Sequence, residues 1–306
     1  MQEISLSVTS DGVSLPATLS IPESCPLRGG VVPLHPADDP SRNQFLFRQL
    51  ADILPQHGVA VLRFDRRAWP GGGDVPLEIQ ANDALAALQT LRLRADLRDA
   101  PVGLWGFSQG AWAAPLAASL SPEVAFLTLV ASTGVSPARQ MRYGTAEQVR
   151  RAGFGTEALT ELAHLRITYE EYLRGHAERA STQELIDRLA QRPWFPLVYV
   201  PRNLPPPGSW KDMDFEPAAI FAGIHCPVLL FYGEDDEWIP IDESIEVWRR
   251  AAEAGGNTNM TVVRLPGTSH HPTLDGGRDV GSISPLYTEH LLAWIVARLA
   301  PEPRPE

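Results

Sequence analysis

Val102-Gly-Leu-Trp-Gly106-Phe-Ser108-Gln-Gly110 is the stretch on which the reading of this chain turns. It begins as an apolar strand, Val102–Phe107, runs into an alanine-rich helix, Gln109–Leu120, and fits G-x-S-x-G between them. In a strand–turn–helix setting the two glycines have a physical reason: side chains at 106 and 110 would strike the neighbouring strand and helix. Ser108 would then sit in strained backbone with its hydroxyl above the sheet edge, beside the positive end of the helix that follows. G-x-S-x-G also arises by chance, since glycine and serine are common, and the strand–helix context is what separates the two readings.

Outward from this point the chain alternates. Ile4–Val8 and Leu15–Ile21 flank Asp11-Gly12 as a hairpin, and Val31–Leu34 reads as a third strand. Leu46, Leu50, Ile53, Leu54 and His57 recur at helical spacing up to Gly58; strand Val59–Phe64 and a helix from Ile79 to Ala95 follow. Val124–Ala131 is apolar throughout. Strands of this kind, alternating with helices, indicate a parallel sheet covered on both faces. The pattern resumes after residue 222 with strand Val228–Tyr232, helix Glu243–Ala254, strand Thr261–Leu265 and helix Tyr287–Leu299. Between the two halves, Glu157–Glu178 and Thr182–Arg192 read as helices, and Arg192-Pro-Trp-Phe-Pro and Pro205-Pro-Pro-Gly as loops. The expectation is an α/β core of residues 1–134 and 223–306, interrupted by a mostly helical cap at 135–222, with a frayed tail at Pro301–Glu306. There are no internal repeats.

With 306 residues, 44% hydrophobic and 21% charged, the chain is long enough for one large core or two modest ones. The formal charge of −11 argues against nucleic acid or an anionic membrane surface as partner. Residues 135–222 hold 11 basic and 11 acidic side chains, so the imbalance lies wholly outside them. Lys211 is the only lysine among 26 basic residues, which excludes lysine chemistry unless Lys211 supplies it. Cys25 and Cys226 form no disulfide framework or metal-ligand pattern and read as free thiols. The start MQEISLSVTSDG has no basic, apolar leader, and no apolar run approaches a bilayer span, so a cytoplasmic location is expected.

Serine is a weak nucleophile and needs a base, which in turn needs an orienting acid. Phe231-Tyr-Gly-Glu-Asp-Asp236-Glu-Trp-Ile-Pro240 follows one downstream strand and offers Asp235 and Asp236; Leu265-Pro-Gly-Thr-Ser-His270-His271 follows the next. A metal site built from these two acids and two histidines is the competing reading, and it lacks a recognised ligand spacing.

The order Ser, Asp, His resembles that of the α/β-hydrolases, here the serine esterase and prolyl-oligopeptidase-like (dienelactone-hydrolase-like) group. Leu34-His35-Pro36-Ala37 is similar to that group's HG-x turn, Val61-Leu-Arg-Phe-Asp65-Arg-Arg to its RYDxRG loop, Ser132-Thr-Gly-Val-Ser136 to the entry into the cap, and Ile283-Ser-Pro285 to the approach to the last helix. The resemblance implies a mostly parallel eight-stranded sheet with helices on both faces. Its G-x-x-D-x-x-[VI]-P pattern selects Asp236 over Asp235, and P-G-x-x-H selects His270 over His271. It implies Ser108 as nucleophile and the backbone N–H groups of Gln109 and Ala37 as oxyanion donors, with no cofactor or metal. Pro36 departs from the usual glycine and has no N–H.

Other residues carry two readings. Asp65 and Arg66 read as structural, and His35 as a support for the oxyanion turn or part of the substrate site. Trp69, before the glycines at 71–73, either borders the site or belongs to a surface turn. Trp194, Phe195, Tyr199 and Trp210 either pack the cap or form an aromatic wall, and His271 either lines the site or caps a turn. His164 and His176 read as surface residues. Arg139, Arg142, Arg150 and Arg151 either meet a substrate carboxylate or stay solvated. The expected function is a serine hydrolase cleaving a small carboxylic ester, lactone or thioester. Set against it are a peptidase or amidase, an acyltransferase or cyclase using the same triad, and a non-catalytic binding module. A homodimer is compatible with the sequence.

Overall fold

The computed structural model describes residues 1–70 and 74–299. The glycines at 71–73 and the tail at 301–306 lie outside the described residues.

Asp11 and Gly12 both take positive φ, 49° and 76°, the two-residue turn that matches strand twist. It joins β1 (Gln2–Ser10) to β2 (Val13–Ile21) in antiparallel register, Val8 facing Leu15. The next strands are buried along their whole length: β3 (Gly29–Leu34), β4 (Val59–Phe64), β5 (Val102–Phe107), β6 (Leu127–Val130) and β7 (Val228–Gly233). β8 (Met260–Leu265) closes the far edge and is only partly covered. The eight strands form one sheet in the order β1-β2-β4-β3-β5-β6-β7-β8. β1–β2 and β2–β4 pair antiparallel; all the other pairs are parallel, as the uninterrupted apolar runs require. β6 is shorter than the apolar run that predicts it, because Val124 and Ala125 lie in the approach, where the Ala125 N–H reaches the Val102 carbonyl at 2.9 Å.

The helices connecting the strands are α1 (Phe45–Ile53), α2 (Leu77–Arg92), α3 (Gly110–Leu120), α7 (Pro217–Ala222), α8 (Ile241–Gly255) and α9 (Pro285–Val296). The α1 segment ends on a 3-10 turn, Pro55–His57, with Gly58 at φ 80°, the left-handed terminus that glycine permits. Helices cover both faces of the sheet, and α1 and α9 are linked by a 3.1 Å bond from Gln49 Nε2 to Thr288 Oγ1. Pro115 lies inside α3, where a proline leaves the carbonyl one turn back without its helical donor; the Ser132 hydroxyl donates to that oxygen, on Ala111, at 3.4 Å. Ser132 is a wider junction, its Oγ accepting from Trp248 Nε1 at 3.0 Å and its carbonyl from the Tyr232 hydroxyl at 2.8 Å. Trp105 at the sheet centre satisfies its indole N–H on the Tyr287 hydroxyl at 3.0 Å.

Between β6 and β7 the chain builds α4 (Pro137–Arg151), α5 (Thr156–Leu173) and α6 (Arg179–Leu189). These gather a hydrophobic cluster separate from the main one, with Leu162, Leu165, Ile186, Trp194 and Val198 buried together. Glu170 is fully buried there and bridges Arg142 and Arg166. α7, the last part of the expected insertion, joins the main core: Phe221 stacks on Trp248 at 3.6 Å. Among the described residues, no helix is long and apolar enough to cross a membrane.

Because Trp248 fills the space under Phe221 and satisfies Ser132, Trp248→Ala should cost about 3–5 kcal/mol, measured as a lower urea midpoint.

Candidate active site

β3, β4, β5, β7 and β8 run parallel, so their carboxyl ends open on one edge of the sheet, where open α/β sheets place their ligand crevices. Every segment of the site leaves from that edge.

Ser108 follows β5 directly and holds φ at 53°, the left-handed region disfavoured for a residue with a β-carbon. Its neighbours explain why it stays there. A β-carbon at Gly106 would lie 2.3 Å from the Gly110 carbonyl oxygen, and one at Gly110 would lie 2.4 Å from that of Leu34. The Ser108 N–H is tied to the Val130 carbonyl at 3.0 Å, and its own carbonyl accepts from Ala111 N–H at 2.9 Å as α3 begins.

The loops after β7 and β8 are zipped together. Glu234 N–H donates to the Leu265 carbonyl at 3.1 Å and Asp235 N–H to that of Thr268 at 3.0 Å. Gly233 makes this possible, since a β-carbon there would stand 2.0 Å from the Ser269 carbonyl oxygen. The Asp236 side chain turns inward and is fully buried, while Asp235 faces solvent. Asp236 Oδ1 accepts from the N–H groups of Trp238 and Ile239, at 2.7 and 3.2 Å.

The three loops meet at His270, whose side chain is 13% exposed. Its Nδ1 lies 3.1 and 3.0 Å from the Asp236 carboxylate oxygens, and its Nε2 lies 3.0 Å from Ser108 Oγ. Burial works to lower the His270 pKa, but the charge of Asp236 and its hydrogen bond, with smaller help from Glu237 and Asp38, carry it above the ordinary 6.5. His271 differs: burial and the neighbouring His270 and Arg278 hold it down to about 4, so it is neutral near pH 7. Its ring packs on Phe107 at 5.0 Å and Phe45 at 5.7 Å. A hydroxyl, an imidazole and a carboxylate hydrogen-bonded in series can pass a proton from the hydroxyl to the ring while the carboxylate fixes the tautomer. Among the described residues, no group of three or more His, Cys, Asp or Glu side chains is placed to hold a metal ion.

Ser108 and His270 open into a cavity of about 680 Å³. Pro36, Ala37 and Gln109 stand in its wall, as do His271, Tyr199 and Trp210. His35 lies beneath the wall rather than in it. It is buried edge-on against Phe47 and Phe64, and burial, with Arg66 acting in the same sense, holds its pKa to about 3. Trp194 and Phe195, 2% and 4% exposed, belong to the second hydrophobic cluster and do not line the cavity, so packing is their role. Trp69 is partly buried and is likewise not among the lining residues. Arg139, Arg142 and Arg150 pair with Glu243, Glu170 and Glu147, and Arg151 holds the Asp235 carbonyl; none of the four lines the cavity.

The cavity also has walls that the sequence reading passed over. Phe107 and Trp112 flank the serine turn, Trp238 comes from the Asp236 loop, and Gln140, Met141 and Gln148 come from α4. A search one helical turn beyond Ser108 and two residues past Asp236 finds Trp112 and Trp238; nothing local marks the α4 residues. A side pocket of about 260 Å³ shares Met141, Tyr199 and Trp210 with this cavity and is lined further by Arg166 and Lys211.

A family model described as the alpha/beta hydrolase family matches residues 36–280. Among solved structures, an esterase of Pyrococcus furiosus superposes with a TM-score of 0.60 at 16% identity, over 97% of this chain and 90% of its own. An alpha/beta hydrolase of a Penicillium species gives 0.61 at 16%, over 97% and 98%. A provisional dienelactone hydrolase of Klebsiella pneumoniae gives 0.57 at 15%, over 97% of each chain. At such identities the likeness is one of fold. No curated protein matches the chain in sequence.

Gly233→Ala should force the two zipped loops apart and break the Asp236–His270 bond. Expected is loss of the downfield imidazole Nδ1–H resonance by proton NMR in a chain that keeps its native circular dichroism; a resonance unchanged in the variant would contradict this account of Gly233.

Proposed function

The chain belongs to the alpha/beta hydrolase family, and from that premise we propose that it is a serine hydrolase cleaving a small carboxylic ester through an acyl-enzyme on Ser108. The observation that carries the reading is the hydrogen-bonded series from Ser108 Oγ through His270 to Asp236, open to a cavity large enough for a drug-sized ester. In this mechanism His270 Nε2 takes the hydroxyl proton as Oγ attacks the ester carbonyl. The backbone N–H groups of Ala37 and Gln109 receive the oxyanion. As the tetrahedral adduct collapses, His270 returns the proton to the leaving alcohol, and the same cycle with water frees the acid. Asp236, held by the Trp238 and Ile239 N–H groups, keeps Nδ1 protonated so that Nε2 faces the serine. The part of the insertion that gathers the second hydrophobic cluster, from α4 to Met213, acts as a cap, bringing Met141, Tyr199 and Trp210 over the reacting centre. Tyr199 is 66% exposed and held at φ 52°, which places it at the rim.

The test is a panel of aryl esters of graded acyl length beside an aminoacyl amide, with fluorophosphonate labelling of wild type and Ser108→Ala. Ester turnover and labelling that both vanish in Ser108→Ala are expected. Labelling that survives the substitution would remove Ser108 from the mechanism, and turnover of the amide alone would make the chain an amidase.

His270 must be neutral to accept the proton, and its pKa is raised, so kcat/KM for the ester should fall on acidification with a limb above pH 6.5. Asp236→Asn removes the main raising influence, leaving the smaller ones of Glu237 and Asp38 against burial. The limb should move below pH 6.5, and the plateau should drop by about 10⁴ in a pH–rate profile.

A further inference from the structure

We propose that Arg66, just beyond β4, is a positioning residue that sets the direction of the Ala37 oxyanion donor and braces the side chain of Gln109, which carries the second. The inference rests on the proposed hydrolase reading and adds a residue to it.

The Arg66 guanidinium spans the two segments that carry the donors. Its Nη1 donates to the Pro36 carbonyl at 2.9 Å and to Gln109 Oε1 at 2.9 Å, and its Nη2 donates to the Ala37 carbonyl at 2.7 Å. The Pro36 carbonyl belongs to the same peptide unit as the Ala37 N–H. Among the described residues there is no cis peptide, and in a planar trans unit the N–H points opposite to the C=O. Turning the Pro36 oxygen toward Arg66 therefore turns the Ala37 N–H away from it, and Ala37 lies in the cavity wall. A hydrogen bond on the carbonyl also polarises the amide and makes its N–H a stronger donor. At the second donor, Gln109 Oε1 accepts from Arg66 and from Gln80 Nε2 at 3.2 Å, which holds the side chain of the residue that follows the nucleophile.

Two further observations make this more than loop packing. Proline at 36 leaves no N–H there, so Ala37 carries the first amide N–H available after His35 and its orientation decides whether the hole exists. The acceptors of Arg66 are all neutral. Asp74, Asp38 and Asp39 act on it only at range, so among the described residues no carboxylate is hydrogen-bonded to it at the site where negative charge would develop. Its neighbours do the structural binding instead: Asp65 is bonded by the Arg42 backbone N–H and paired with the Arg42 guanidinium, and Arg67 is paired with the buried Asp83.

The experiment compares wild type, Arg66→Met and Arg66→Lys on an aryl ester, with kcat taken per Ser108 titrated by fluorophosphonate. It also measures binding of an aryl trifluoromethyl ketone, whose carbonyl carbon bonds to Ser108 Oγ and whose oxygen becomes a hemiketal oxyanion, the serine proton passing to His270. Arg66→Met should lower kcat per titrated site by about 10–100-fold, somewhat less than deletion of a direct donor, with KM within about threefold. Ketone affinity should fall by the same factor as kcat. Arg66→Lys should recover only part of the loss, because one ammonium cannot reproduce the fork across three acceptors. If Arg66→Met does not fold, Arg66→Lys carries the same comparison. A kcat per site and ketone affinity equal to wild type would overturn the inference, as would a change confined to KM. Wild type that is neither labelled nor active on any ester overturns the hydrolase reading itself, and the inference with it.

Discussion

Leu34 and Gly110 approach so closely that a β-carbon on Gly110 would stand 2.4 Å from the Leu34 carbonyl oxygen. That contact brings the start of α3 down onto the end of β3, and Gly106 allows the same closeness on the other side of the turn. With both flanks fixed, Ser108 has no room to relax out of its left-handed backbone, and its hydroxyl stands clear of the sheet. The turn that follows β3 is thereby brought beside the serine. Strain at one residue is held by backbone packing on two sides, which makes the hydroxyl's position a property of the sheet rather than of a loop.

The remaining parts converge because parallel strands deliver their ends to one edge. β7 and β8 contribute an acid and a base through loops that bond to each other before either reaches the serine. Burial opposes a charged imidazole, and the carboxylate beside it outweighs that opposition at His270 but not at His271. Two adjacent histidines thus take opposite protonation behaviour: only His270 is hydrogen-bonded to a carboxylate, while His271 also meets the charges of His270 and Arg278.

Much of this was legible in sequence because it is local. The G-x-S-x-G turn, the Gly233-to-Pro240 loop and the Pro266-to-His270 loop each state their geometry within a few residues, and hydrophobic periodicity placed the strands between them. The aromatic residues of the insertion divided in a way that spacing alone does not reveal. Trp194 and Phe195 went to a second hydrophobic cluster, whereas Tyr199 and Trp210 reached the cavity. Arg66 reads as structural in sequence because it occupies an unremarkable position in its loop. Its three acceptors lie on segments far away in the chain, which no local pattern encodes. Gln140, Met141 and Gln148 were missed for the same reason, since their common face exists only once α4 has docked.

Lys211 has one further consequence. It is the only side-chain amine in the chain, and it lies exposed in the lining of the side pocket that shares walls with the reaction cavity. An amine-reactive dye would therefore attach, among side chains, at one place, beside Trp210 and within the insertion between β6 and β7. The molecule carries its own attachment point for a fluorescent reporter of cavity occupancy, with no engineered cysteine. By the same token, tethering the protein to a surface through its side-chain amine would hold it by the rim of its own pocket.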